Sequence, residues 1–451
     1  MKVKNKRTLI ILLSVLLVLV ILASSILVVF LSARSNKQTL NWIKGMIEKH
    51  YYPPLPESFD SFVAKNSVVN GDYTTLYQAI NNDLLDKYSR FYTKQEYKAQ
   101  QQVDSGQGVG VGLAFEAGTN KLARIPIGSP LYFANKNEQK IETGMLLTKI
   151  DNTTIQNFQD IQSAMQKYTV NDSMNLTFST PKDGNINVQE TTVTVEAKSY
   201  TESYLLYTYN QKAYAYLYPN SFVPNSGWTD VTEYTPKTEL LSKQDVAYFK
   251  FSSFMGEANK EFYYAMEQYK KDKATTLLLD LRNNGGGYVD YMADIARYFL
   301  KNSTQQNNIV MTAKFKDGKQ EHTVARGNFY QDYLANSKIK VMANKNSASA
   351  SEALIGVLLS YGAITYEDIF ITEINGEART YGKGIMQSTF VHPLGGYAIK
   401  LTTAQIYWPN GITIHDKGVV AGSQETPAKI SGSFLPFVYQ DPELKAVVQQ
   451  I

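Results

Sequence analysis

The chain has 451 residues, 43% hydrophobic and 19% charged, which is ordinary for globular protein but too long for one small domain, so two or three units are expected. A formal charge of +4, spread along the chain, argues against nucleic acid as a partner. There is no cysteine, so disulfides, thiolate metal sites and cysteine nucleophiles are excluded together.

The first predicted element is the most apolar. Lys2, Lys4, Lys6 and Arg7 precede an uncharged stretch at 8–33 made mostly of Leu, Ile and Val. As a helix it would extend about 39 Å, enough for a hydrocarbon core of about 30 Å. A cleaved signal peptide is the competing reading, but its apolar region is usually about 7–15 residues. The expectation is therefore an uncleaved single-pass anchor in the cell membrane. The basic N-terminus would be cytoplasmic and the rest of the chain extracytoplasmic.

Residues 38–100 carry helical patterning: Leu40, Ile43, Ile47 and Tyr51 share a face before Pro53–Pro54, and Leu76, Ile80 and Leu84 repeat the idea. The texture then changes. "GQGVGVGLAFE", "GMLLTKIDNTTI", "SMNLTFST" and "INVQETTVTVEA" read as strands, and "FQDIQSAMQKY" as a short amphipathic helix, so 101–198 is a small strand-rich domain. Residues 199–243, rich in Tyr, Thr, Pro and Ser, read as an insertion or linker. From 244 to 425 strands and helices alternate as in an α/β core with a largely parallel sheet, leaving 426–451 as a C-terminal tail.

Chemistry in such cores gathers at loops that follow strands. Two loops qualify: "LRNNGGG" at 281–287, and the run "NSASASEALIG" at 346–356, where serines 347, 349 and 351 precede an apolar helix. A serine there would meet the free N–H groups of a helix N-terminus. Taken singly, such serines are more often caps and such glycines more often turns. A serine nucleophile also needs a base. Among the histidines, His322, His392 and His415 make no convincing Ser-His-Asp set with it. Lys383 in "TYGKGIMQ" is the other option, flanked by Gly382 and Gly384, which allow close backbone approach. Gln387 lies four residues on and would share a strand face with it. Read alone, Lys383 is an ordinary hairpin lysine.

In combination, "LDKYSRFY", "GVGVGLAF", "LLLDLRNNGGG", "NSASASEALIG", "TYGKGIMQ" and "IKLTTAQIYWPNG" occur in an order that resembles the carboxyl-terminal processing peptidases, or tail-specific proteases, over roughly 40–425. The resemblance implies a fold class: an α/β protease core (ClpP/crotonase-like) with an N-terminal helical region and an inserted PDZ-like β-rich domain, here behind a single transmembrane helix. It implies a Ser-Lys site with Ser349 as nucleophile, Lys383 as general base and Gln387 in support. The N–H of Ala350 and one from Gly286–Gly287 would form the oxyanion hole, with Ser347 and Ser351 as structural neighbours and Ser351 as helix cap. Gly110, Val111, Gly112 and Leu113 match the loop that receives a peptide carboxylate.

The function expected is that of a membrane-anchored serine endopeptidase acting on extracytoplasmic polypeptides without a cofactor or metal. A homo-oligomer or an adaptor protein stays open as a further partner. The alternative is a pseudoprotease or PDZ scaffold that binds peptide tails. It is favoured by Thr143-Gly144-Met145 where the family usually has Gly-Asp, and by a long segment between Ser349 and Lys383.

Overall fold

Consecutive runs of Val, Leu, Ile and Phe bounded by turn residues give strands that can be buried on both faces. In this computed structural model four of them, Val246–Phe251, Thr276–Asp280, Lys338–Asn344 and Ile369–Thr372, lie parallel in that order. The described residues are 36–66, 73–116, 118–135, 141–182, 185–223, 225–235, 243, 245–303, 308–374, 376–420 and 441–451. The chain divides into two units, one of residues 1–97, 315–317 and 386–404, the other of 98–314, 318–385 and 405–451.

The parallel strands belong to the second unit. The Tyr-rich stretch read as an insertion or linker extends their sheet: Leu205–Tyr209, Lys212–Leu217 and Gly227–Asp230 join antiparallel to make seven strands. In Lys212–Leu217 the half-buried Tyr214 and Tyr216 alternate with buried Ala213, Ala215 and Leu217, a period of two, so no helical period could be read there. Odd and even strand positions face opposite ways. On one face, Tyr248, Leu278 and Met342 pack against Leu444 and Val447 of the helix Pro442–Gln450, so the end of the expected tail is part of the core. On the other, the Phe249 ring lies 5.7 Å from that of Phe262 in the helix Ala258–Asp272.

Residues 106–198 of the same unit form the expected strand-rich region. Leu146–Ile150 pairs with Ser173–Lys182, which pairs with Asn185–Glu196, and the helix Phe158–Met165 starts in a capping box of Asn157 and Asp160. The stretch expected as one glycine-rich strand is broken: Gln107–Gly110 pairs with Lys198–Thr201, and Ala114–Phe115 with Leu122–Arg124. Between them Gly112, at φ +86°, passes so close to Ser129 that a Cβ would lie 2.1 Å from the Ser129 Cβ.

The first unit contains a helix at 36–50, the helices Phe59–Lys65 and Thr74–Ala79, and the strand Arg90–Tyr92, whose Phe91 is paired with Ile399. Ile43, Ile47, Leu76, Ile80, Phe91 and Leu401 form its core.

The transmembrane expectation is corrected. No helix among the described residues is long and apolar enough to cross a membrane. The helix Ala258–Asp272, at 15 residues, is too short and carries lysines and acids. The stretch 8–33 lies outside the described residues. The single-pass anchor, and with it the cell-membrane placement and the extracytoplasmic orientation, is therefore withdrawn from the fold class.

One buried acid ties the helix Ala258–Asp272 to the segment that leads into the strand Leu205–Tyr209 and to Tyr218. Glu261 is fully buried and accepts from Tyr204 N at 2.6 Å, Ser203 Oγ at 3.1 Å and Tyr218 Oη at 2.7 Å. Burial pushes its carboxyl from 4.5 up to about 7, against the pull of those bonds. The folded state therefore holds a proton that the unfolded chain has lost above pH about 4.5, so stability falls as pH rises through this window. Between pH about 4.5 and about 7 the unfolding free energy should drop by up to about 3 kcal/mol more in this chain than in Glu261→Gln. Denaturant melts of both across that range check it, and parallel curves would refute the assignment.

Candidate active site

The serine run leaves the end of the strand Lys338–Asn344 and enters the helix Ala350–Ser360, whose residues 350–358 are all buried. The three serines have separate fates. Ser347, fully buried, donates to Leu281 O at 2.7 Å and accepts from Asn344 N at 2.9 Å. Ser351, also fully buried, donates to Asn284 O at 2.8 Å and lies within the helix rather than capping it. Ser349 is half-buried at the N-cap position with φ 57° and ψ −115°, a conformation strained for any residue with a Cβ.

The group that holds this turn is Glu352, fully buried and the one charged residue of its helix. Its Oε2 accepts from the N–H of Ser349 and the N–H of Lys383, both at 2.9 Å. Its Oε1 accepts from the N–H of Gly382 at 2.7 Å and the hydroxyl of Thr380 at 2.5 Å. Burial raises the Glu352 carboxyl above the usual range, and these four donors oppose that rise. Tyr381 N also donates to Ser347 O at 3.0 Å. The serine turn and the lysine segment are thus bonded side by side along their backbones.

The glycines around Lys383 act as the sequence suggested. A Cβ on Gly384 would lie 2.7 Å from His415 N, and one on Gly382 would lie 3.0 Å from Gly418 N. Lys383 itself is half-buried and precedes the strand Ile385–Val391, so it is not a strand residue sharing a face with Gln387. Gln387 belongs to the first unit, where its amide donates to Thr402 Oγ1 at 3.2 Å. Among the other expected bases, His415 Nε2 lies 3.7 Å from Asp416, His322 Nδ1 lies 2.9 Å from Thr312 Oγ1, and His392 Nδ1 accepts from Gly395 N.

The glycine loop is bonded to the same turn. Ala348 N donates to Asn284 O at 3.0 Å, and Asn283 N donates to the Asn344 side chain at 3.0 Å. Gly286, at φ +97°, passes where a Cβ would meet Ala348 O at 2.8 Å and Ala350 N at 2.9 Å. Its own N–H is spent on Asn284 Oδ1 at 2.9 Å. The N–H groups of Ala350 and Gly287 form no hydrogen bond among the described residues. Of the expected anion donors, Ala350 and Gly287 are available and Gly286 is not.

Sequence reasoning missed Glu352, Thr380 and Asn284. The signal for Glu352 was on the page: Ser-x-x-Glu is a capping-box spacing, and a lone acid in an apolar helix needs internal donors.

Residues 245–421 match peptidase family S41. The chain is 24% identical to the "Probable CtpA-like serine protease" of Staphylococcus saprophyticus over 78% of its own length and 60% of that protein. It is 36% identical to the "Carboxyl-terminal-processing protease" of Synechocystis over 39% of its length and 37% of that protein. It therefore spans between about a third and three fifths of these relatives. In three dimensions it matches the "Putative S41 protease from Bacteroides fragilis" with a TM-score of 0.52 at 14% identity, covering 91% of this chain and 97% of that one. The resemblance read from the motifs holds: residues 245–421 match the model of peptidase family S41, and the chain is similar in sequence to carboxyl-terminal processing serine peptidases.

Proposed function

We propose that the chain is a serine endopeptidase acting on polypeptides, with Ser349 as nucleophile and Lys383 as its general base. The observation that carries this reading is the sharing of one Glu352 oxygen by the N–H groups of Ser349 and Lys383, within a segment that matches a peptidase family. A lysine can act as base only in its neutral form. In the proposed reaction Lys383 takes the Ser349 proton as Oγ attacks the scissile carbonyl. The N–H groups of Ala350 and Gly287 hold the oxyanion, the ammonium protonates the leaving amine, and water hydrolyses the acyl-enzyme. Gln387 is assigned its supporting role from the motif alone.

The region 106–198 is proposed as PDZ-like, receiving substrate C-termini at Gly110–Leu113. In support, the Gly112 and Leu113 N–H groups form no hydrogen bond among the described residues, and Val111 O is occupied by Leu131 N at 2.8 Å.

A fluorophosphonate probe should label Ser349 in the purified chain, and Ser349→Ala should abolish both labelling and casein turnover. Lys383→Ala should lower turnover by about 100–10,000-fold with the fold retained. Labelling at another residue, or unchanged turnover in either variant, refutes the assignment and leaves the tail-binding scaffold in its place.

Glu352→Gln tests the arrangement around the site. The substitution sets an NH2 group against N–H donors, so turnover should fall by about 100-fold. Stability should fall by about 2 kcal/mol, the cost of unpaired buried donors. Wild-type rates with wild-type melting would show that the clamp is dispensable.

A further inference from the structure

The loop 281–287 has a second anchor, at Arg282. Arg282 has a side-chain exposure of 10% and meets three carboxylates. Its Nε lies 3.0 Å from both Asp280 oxygens. Its Nη1 and Nη2 reach the two oxygens of Asp441 at 3.0 and 2.6 Å. Nη1 also reaches Glu443 Oε2 at 2.7 Å. Asp441 and Glu443 begin the helix Pro442–Gln450, about 160 residues further along the chain.

The bonds run on in both directions. Asp441 caps its helix by accepting from Leu444 N at 3.0 Å, and Glu443 Oε2 accepts from Thr372 Oγ1 at 2.7 Å. Burial pulls the Asp441 carboxyl up, but the Arg282 guanidinium outweighs it and holds the group below its ordinary value, so Asp441 is ionised at neutral pH. A bidentate carboxylate fixes a guanidinium in its plane as a single contact cannot. One residue on, Asn283 stands at φ 61° and opens the turn that leads to Gly287. Asp441, Glu443 and their helix lie beyond the segment that matches the peptidase family, which stops at 421, whereas Arg282 lies within it.

We infer that the C-terminal helix is a positioning element of the glycine loop, acting through Asp441 and Glu443 on Arg282. The two carboxylates set the angle at which the loop leaves Asp280, and hence where the Gly287 N–H stands. Its effect on turnover rests on the serine peptidase reading; its effect on the loop does not.

The test is Asp441→Asn/Glu443→Gln in the full chain, with Asp441→Glu as the conservative variant. Val447→Ala, which thins the helix packing about one turn beyond Glu443, is the comparison for loss of helix packing alone. Hydrogen exchange at the Asn283 and Gly286 amides, bonded to the Asn344 and Asn284 side chains, should quicken at least about tenfold in the double variant. It should stay near the parent value in Asp441→Glu and Val447→Ala. Fluorophosphonate labelling of Ser349 should slow by about 100-fold in the double variant, with KM for a peptide changed less than about twofold. Unchanged exchange in the double variant, or an equal rise in Val447→Ala, overturns the inference. If the parent chain is not labelled at all, the peptidase reading fails, and the exchange result still decides the role of the helix.

Discussion

A single buried carboxylate determines the geometry around Ser349. Glu352 is removed from water, which by itself favours its neutral form, and it is compensated by three backbone N–H groups and one hydroxyl. Those donors come from the serine turn and from residues 380–383. Neither partner alone could stabilise the charge. Two chain segments about thirty residues apart therefore stay together as long as the acid is buried. Ser349 holds φ 57° while its N–H donates to Glu352, so the strained turn and the buried acid meet at one residue.

The glycine loop is joined to this arrangement by asparagines rather than by charge. Asn284 is fully buried: its amide donates to Phe251 O at 2.9 Å, its Oδ1 accepts from Gly286 N, and its backbone oxygen accepts from Ala348 N and Ser351 Oγ. Asn344 does the same one strand over, bonding Asn283 and Asn346. An amide carries donors and an acceptor without a net charge, so it can link three strand ends without adding to the negative field of Glu352. Parallel strands bring their carboxyl ends to one edge, and the asparagines turn that edge into a fixed surface.

Much of this was legible. The alternation of apolar strands and helices after 244 marks a parallel sheet because that burial pattern has few other solutions. Gly382 and Gly384 of "TYGKG" and Gly286 and Gly287 of "NGGG" mark close backbone passages, where a Cβ would meet neighbouring backbone at 3.0 Å or less. Long-range hydrogen bonding was not legible. The tie between Glu352 and residues 380–383 leaves only a single acid in an apolar helix as its trace, and that trace reads equally well as a capping box. The tail was called a tail because a nine-residue helix with one apolar stripe has no signature until the sheet face beneath it is known. The Tyr-rich stretch failed for a related reason: in Lys212–Leu217 the inward positions are two alanines and a leucine and the outward ones half-buried tyrosines, so the period of two does not show as apolar against polar.

The three serines show how little spacing alone decides. At alternate positions in a strand, all three hydroxyls would share one face and one environment. The chain leaves the strand after Asn344, and the turn at Ser349 breaks the alternation. Ser347 then points back at Leu281 O and Ser351 at Asn284 O, each holding the glycine loop. The outer hydroxyls are consumed in fixing the loop against which the middle residue is set. Moving the positive φ by two residues in either direction would present a different serine and release one of those two bonds. Identity at the centre is thus a property of the backbone turn, and the backbone turn is a property of Glu352.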